Sequence, residues 1–466
     1  MPTGIGPLPN GHAARVTTTD LPPAPPPHAA ARRALLAGSA GNLVEWYEFG
    51  VYGCFATVIA ANFFTPQAGT AAGTVAGAAV QGGAEALVAT YASFALAFFF
   101  RPVGALLFGR IGDRFGRRPT LVLVIGLMTL ATTLIGLLPT RADIGAAAPW
   151  LLTFLRVLQG LSAGGEFGGA VSLMAEYAPP GRRGLYGAWQ SFTVALGLLA
   201  GAATAAALAT VLPAAALYTW GWRIPFLLAL PLGAVALWLR TALAEPPSPP
   251  PAASGTATGA TDPAGPTGVR EQARAVVLGI GRIMGWSAAG YAFLVVLPSH
   301  LQSALGASFR DALLATTLVN LGFAASILPA GLLSDRVGRR PVMLCGALGV
   351  AVLALPLLDL LQSPGTATQV RVAAVLTAGA LVGLLAGPGP AMLAEMFPRR
   401  VRCTGLGLSY ALANAVFSGC AGLFITALAA RTGNTAAPAQ YAAAACALSV
   451  PALLTLRGND HREPLR

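Results

Sequence analysis

Glu45 and Glu48 lie one turn apart inside a long apolar run, with Asn42 three residues before them and Tyr52 four residues after. That spacing places all four on one stripe of a helix. A second apolar run carries Arg101, followed by Pro102. Another carries Arg156, Gln159, Ala163 and Glu166 at the same helical spacing, and Arg282 sits near one end of a further run. An ionised side chain surrounded by apolar residues costs a few kcal/mol to insert in a bilayer, which makes such residues functional by default. Two carboxylates one turn apart in a low dielectric resist simultaneous ionisation, so one must carry a proton or pair with Arg from another helix. A guanidinium can hold a carboxylate through two parallel N–H bonds. The chemistry on offer is therefore reversible protonation and anion binding. Plainer roles compete: Arg156 and Glu166 also suit ion pairs that only lock helices, and Arg282 could reach an interface along its stem. The aromatic residues Trp46, Tyr47, Tyr52, Tyr91, Phe94 and Phe98 suit a quaternary-ammonium cage, but more often such side chains are packing and interface anchors.

The elements that must position these residues follow from composition. Of 466 residues, 55% are hydrophobic and only 10% are charged, with a mean hydropathy of +0.67. Soluble domains carry about 25% charged residues, so soluble enzymes, nucleic-acid binders and disulfide scaffolds are excluded. Apolar runs long enough to cross a bilayer fall near 35–63, 84–109, 119–139, 149–176, 184–211 and 222–241. Six more fall near 275–301, 311–333, 341–361, 371–395, 403–428 and 437–456. The expected fold class is an all-α membrane protein with twelve transmembrane helices in two six-helix bundles, 35–241 and 275–456. Residues 1–34 and 457–466 are expected as cytoplasmic tails and 242–274 as a cytoplasmic linker; its stretch 245–268 holds seven Pro and four Gly. All 29 basic residues are Arg; 21 fall in one alternate set of connections and five in the other. The positive-inside rule then puts both termini and the linker in the cytoplasm of a multi-pass cell-membrane protein. The five cysteines form no CxxC pair, and no metal, cofactor or catalytic residue is expected.

The two halves echo each other. Gly109-Arg110-Ile111-Gly112-Asp113-Arg114-Phe115-Gly116-Arg117-Arg118-Pro119 returns as Gly331-Leu332-Leu333-Ser334-Asp335-Arg336-Val337-Gly338-Arg339-Arg340-Pro341. Ala175-Glu176, Pro179 and Arg183 return as Ala394-Glu395, Pro398 and Arg402. The first motif resembles the signature loop of the major facilitator superfamily, and Arg156-Val157-Leu158-Gln159-Gly160 resembles its RxxQG motif. Gly41-Asn42 through Glu45-Trp46-Tyr47-Glu48-Phe49 resembles the opening of the metabolite:proton symporters. So do Phe100-Arg101-Pro102-Val103-Gly104, Trp220-Gly221-Trp222-Arg223-Ile224-Pro225-Phe226 and Ala394-Glu395-Met396-Phe397-Pro398. Gly405 to Phe417, which contains Asn414, is most similar to the 2-oxoglutarate and citrate permeases. The family usually carries Asp where this chain has Glu48, a carboxylate of longer reach.

The resemblance implies the major facilitator fold and a proton-coupled symporter that works by alternating access. A monomer in the lipid bilayer is expected, importing a small organic acid with a proton and binding no nucleic acid. Three intramembrane Arg favour a di- or tricarboxylate such as 2-oxoglutarate or citrate; a zwitterion (proline, betaine) or a shikimate-like acid is the alternative. Expected substrate contacts are Arg101, Tyr52, Arg156, Gln159, Arg282 and Asn414. Glu48, Glu45 and Glu166 are the proton-coupling candidates, with Glu48 the carrier and Glu45 holding an Arg. The gates expected from the resemblance are Asp113, Arg117, Asp335, Arg339, Arg183 and Arg402, with Asp113 facing the start of span eleven and Asp335 the start of span five.

Overall fold

In a hydrocarbon slab every backbone N–H and C=O must find its partner within the chain, and a helix supplies it. The computed structural model is helical accordingly, with no strand among the residues it describes, which are 28–65, 83–115, 117–164, 166–242, 269–363, 365–398 and 401–458. Most of the expected tail and linker, and the side chains of Asp113, Arg117 and Glu166, lie outside the described residues.

The first half contains α1 (His28–Cys54, continuing as Ala56–Ile59 and a π-turn at Ala60–Phe64), α2 (Gly83–Phe115) and α3 (Arg117–Leu137). It continues with α4 (Ala147–Ala163, then Glu166–Tyr177) and α5 (Arg183–Val211). Its last span, α6, joins Ala214–Gly221 to Arg223–Leu239 through a bend of 50°. The second half contains α7 (Arg270–Leu305), α8 (Phe309–Val337), α9 (Arg339–Gln362), α10 (Thr368–Met396), α11 (Arg402–Thr432) and α12 (Ala437–Leu454). Among the described residues, nine helices are long and apolar enough to cross a bilayer, and the bent pair makes a tenth. With α1 and the two-part α4 these fill the twelve expected places. The helical run of α1 starts at His28, within the stretch expected as tail, and that of α7 at Val269, within the expected linker.

Lipid tails give apolar helices little reason to associate, so small residues that let backbones touch become the packing determinants. A Cβ on Gly160 would overlap the Ala97 carbonyl, and one on Gly164 the Arg101 carbonyl. These contacts press α4 against α2 and bring Arg156 beside Arg101. The second half repeats the device between α8 and α10, where a Cβ on Gly379 would overlap the Val319 carbonyl.

The halves meet at both ends. At the end carrying the α4–α5 and α8–α9 connections, here the Arg-rich end, α5 packs along α8 and α11 crosses α4. At the opposite end α1 and α2 pack on α7 and α11. π-turns interrupt α7 at Ala292–Val296 and α11 at Asn414–Gly419.

Candidate functional site

The contacts of α1 through α4 bring most of the expected charges to one buried group. Glu48 is fully buried. Its Oε2 accepts from the hydroxyl of Thr132 on α3, and its Oε1 has no hydrogen-bond partner. Gln159 Nε2 donates to Thr132 Oγ1 at 2.5 Å, and Arg156 Nη1 donates to Gln159 Oε1 at 2.7 Å. A guanidinium has donors only, so the Gln159 carbonyl must face Arg156 and its amide nitrogen must face Thr132. A cation on α4 is thus joined to a carboxylate on α1 through two neutral side chains, each polarised by the charge behind it.

Arg156 is also fully buried, and its Nε and Nη2 have no hydrogen-bond partner. Those two nitrogens form the side-on edge of the guanidinium, spaced for the two oxygens of one carboxylate. The ring centroids of Tyr52, Phe94 and Phe49 lie 4.0, 4.7 and 5.1 Å from its central carbon, a stabilising arrangement for a desolvated cation. Tyr52 is held in place by Ser93 Oγ at 2.8 Å.

Arg101 is committed differently. Its Nη2 lies 3.1 Å from Glu45 Oε1, which makes Arg101 the Arg partner expected for Glu45. Its guanidinium rests against Phe98 at 4.3 Å and Phe49 at 4.6 Å. The second half contributes Tyr291, whose ring lies 5.4 Å from Phe98, 6.1 Å from Phe94 and 6.3 Å from Trp46. The Tyr291 hydroxyl has no hydrogen-bond partner. Four of the six aromatic side chains read from sequence chiefly as packing, Trp46, Tyr52, Phe94 and Phe98, therefore lie against the two cations, and rings of both halves meet at the centre.

The ends are sealed by different chemistry. At the Arg-rich end Asp335 accepts from the backbone N–H groups of Gly184 at 2.7 Å and Leu185 at 2.9 Å. These are unpaired donors in the first turn of α5, where the helix dipole also favours an anion. Arg339 pairs with Asp335 at 2.8 Å and Glu395 at 2.9 Å. Among the described residues two ion pairs cross between the halves, Arg183–Glu395 at 3.5 Å and Arg402–Glu176 at 3.1 Å. The opposite end is closed by neutral hydrogen bonds, Tyr91 with Ser299 at 2.7 Å and Thr57 to Gln302 at 2.9 Å.

Three sequence expectations land elsewhere. Asn42 does not share the face of Glu48: its amide donates to Thr193 Oγ1 at 2.6 Å and accepts from Gln190 at 3.0 Å, both on α5. At about 100° per residue, steps of three and three turn the stripe by about 120°, enough to move from α5 to α3. Arg282 is tied to the end of α12, donating to Ala452 O at 3.3 Å and Thr455 Oγ1 at 2.9 Å, and does not join the central cations. Asn414 spends its amide within α11, on Tyr410 O at 2.9 Å and Ser418 Oγ at 2.8 Å. Conversely, sequence reading missed Thr132 and Tyr291. Thr132 is one of four Thr in an apolar helix (Thr120, Thr129, Thr132 and Thr133), and neither it nor a lone Tyr beside a π-turn carries a spacing signal.

Two like halves of six helices, sealed at both ends over buried cations and carboxylates, define a secondary transporter, which exposes one centre to either side in turn. Residues 34–248 match the family model "Sugar (and other) transporter" and residues 275–466 match "Major Facilitator Superfamily". The chain is 35% identical over 452 residues to the ectoine/proline transporter ProP of Corynebacterium glutamicum, covering 92% of this chain and 85% of that protein. It is 36% identical over 398 residues to the alpha-ketoglutarate permease of Escherichia coli K12, covering 83% and 85%. A crystal structure of a D-xylose-proton symporter shares the fold, with a TM-score of 0.67 at 21% identity over 91% of this chain and 96% of that one. The chain belongs to the metabolite:proton symporter family of the major facilitator superfamily, and is a multi-pass membrane transporter rather than an enzyme.

Proposed function

We propose that the chain couples proton entry to the import of a small zwitterion bearing one carboxylate, the class that includes proline and ectoine. The observation that carries this is the side-on edge of Arg156, buried and without a hydrogen-bond partner. The sequence favoured a di- or tricarboxylate because three Arg lie at membrane depth. Arg101 faces a carboxylate already, that of Glu45, although its Nε and Nη2 make no hydrogen bond, and Arg282 is tied to α12. Arg156 is the central guanidinium left to receive a solute carboxylate. The relative in Corynebacterium glutamicum is named for ectoine and proline, and the ring faces of Trp46, Phe98 and Tyr291 suit the cationic end of such a solute.

Glu48 is the coupling group in this reading. While it is ionised, the relay through Thr132 and Gln159 partly compensates Arg156. A proton on Glu48 removes that negative charge and favours a solute carboxylate at Arg156; release of the proton on the other side expels it. Arg asymmetry makes the Arg-rich end cytoplasmic, with both termini there. Opening inward then breaks the Arg183–Glu395 and Arg402–Glu176 pairs, and opening outward breaks the Tyr91–Ser299 and Thr57–Gln302 bonds. A dicarboxylate is the second reading, supported by the unbonded Nε of Arg101 and by the alpha-ketoglutarate permease; its second carboxylate displaces Glu45.

Proteoliposomes holding the full chain separate the readings, using labelled proline, ectoine, glycine betaine, 2-oxoglutarate and citrate under an inward proton gradient. A zwitterion entering with a proton carries net positive charge, so its uptake is expected to accelerate when the lumen is negative. Accumulation of 2-oxoglutarate or citrate alone selects the second reading, and accumulation of any solute without regard to the proton gradient refutes proton coupling.

A further inference from the structure

Thr132 has more partners than its single hydroxyl hydrogen can serve. Its Oγ1 accepts from Gln159 Nε2 and lies within hydrogen-bond distance of both Glu48 Oε2 and the backbone carbonyl of Met128, the latter at 3.0 Å. A hydroxyl offers one hydrogen and two acceptor sites, so it can donate to Glu48 or to Met128, but not to both. Thr132 is fully buried.

We propose that Thr132 is the positioning residue that lets Glu48 gain and lose its proton without any heavy atom moving. This rests on the reading that Glu48 carries the coupled proton. With Glu48 ionised, the Thr132 hydrogen points at Oε2 and Oγ1 accepts only from Gln159. With Glu48 protonated, the acid O–H donates to the second acceptor site of Oγ1, and the Thr132 hydrogen turns to Met128 O. Gln159 keeps its bond in both states. Thr132 keeps a full set of partners in each state, so moving the proton at Oε2 leaves no newly unpaired polar group at this contact; the other oxygen of Glu48, Oε1, is without a partner already. The switch is a rotation about one C–O bond, and no proton leaves Thr132.

The surroundings isolate this role. The charged and titratable groups that act on Glu48 are Glu45 and Tyr47 on α1 and Arg156 on α4. Tyr52 on α1, Arg101 on α2 and Tyr291 on α7 surround Arg156, and Tyr410 on α11 faces Arg101 and Glu45. The helices α3, α5 and α6 carry titratable groups only near their ends. Thr132 is thus the contact α3 makes with the carboxyl that can respond to its charge.

The test follows the carboxylic-acid band of Glu48 by difference infrared spectroscopy during pH titration of the purified full-length protein, without substrate. The band is assigned by its loss in Glu48→Gln. Thr132→Val keeps the side-chain shape and removes the hydroxyl. The ionised state then loses a charge-assisted bond and the protonated state only a neutral one, about half as strong. The titration midpoint is expected to rise by about one pH unit, with the band moving to higher frequency as the acid loses its acceptor. Thr132→Ser should restore both. Should Thr132→Val fail to fold, Thr132→Cys, whose thiol is a weak donor, is expected to give a smaller shift in the same direction. A wild-type midpoint and frequency in the Val or Cys variant overturns the role of Thr132. If no acid band disappears in Glu48→Gln, the coupling reading itself falls.

Discussion

Replacing Arg156 by Lys tests the centre most directly, because it keeps the charge and deletes the fork. In the structure Nη1 is spent on Gln159, while Nε and Nη2 are open. A solute carboxylate placed there receives two charge-assisted hydrogen bonds; an ammonium at the same position supplies one. Each such bond contributes about 1.5–3 kcal/mol, so the variant loses about 2 kcal/mol of binding, or roughly 30-fold in Kd. Arg101→Lys is the internal control: that side chain serves Glu45, and its solute affinity is expected to change by less than about threefold. Isothermal titration of purified wild type and both variants with proline and ectoine at one fixed pH gives the three constants, and circular dichroism establishes that each protein is folded. Equal affinities for wild type and Arg156→Lys, or a larger loss from Arg101→Lys, would refute the assignment of the carboxylate to Arg156.

Glu48→Gln keeps the side-chain shape and a bond to Thr132 but cannot ionise. It should abolish accumulation against a gradient while leaving solute exchange measurable, and should flatten the pH dependence of binding. In wild type the protonated form favours the anionic group, so binding weakens as pH rises through the titration of Glu48; a variant that still concentrates solute on a proton gradient removes Glu48 from the mechanism. Asp335→Asn weakens two charge-assisted bonds to α5, at a cost of about 2 kcal/mol, and should raise thiol labelling of a cysteine placed on the Arg-rich face of the interface by roughly tenfold or more; wild-type labelling contradicts the latch. Gly160→Val drives a side chain into the Ala97 carbonyl and should cost about 1–3 kcal/mol, read as a lower Tm in detergent. An unchanged Tm contradicts the backbone contact between α2 and α4.

Hydropathy and repetition made the architecture legible. Each span is a long apolar run, and the Asp113 and Asp335 loops mark the same place in two copies. The pairing of Glu45 with an Arg was legible too, because a buried carboxylate has few other solutions. What the sequence could not reveal was direction. The Asn42–Glu45–Glu48 stripe reads as one face when each step is taken alone, yet the residual rotation accumulates and divides it among α5, α2 and α3. Arg282 and Arg156 look alike as isolated cations in apolar runs, and only the placement of α12 shows that one is occupied. Thr132 became visible only once α3 was set beside α1, since its importance lies in having two acceptors within reach of one hydrogen.

The crossed ion pairs at the Arg-rich end have a further meaning. Arg183 and Arg402 are 219 positions apart, and so are Glu176 and Glu395, so Arg183–Glu395 and Arg402–Glu176 are one contact made twice with the partners exchanged. That is the defining property of an isologous interface, the kind that joins two identical subunits about a twofold axis. A single polypeptide here carries the seam of a homodimer inside itself. The two copies of the contact differ in burial: the Glu395 side chain is 5% exposed, whereas that of Glu176 is 36% exposed. Identical subunits would have to loosen both contacts equally. In the fused chain the two contacts need not be equally strong, so one can yield before the other as that end opens, a freedom available only after the two copies became separately mutable.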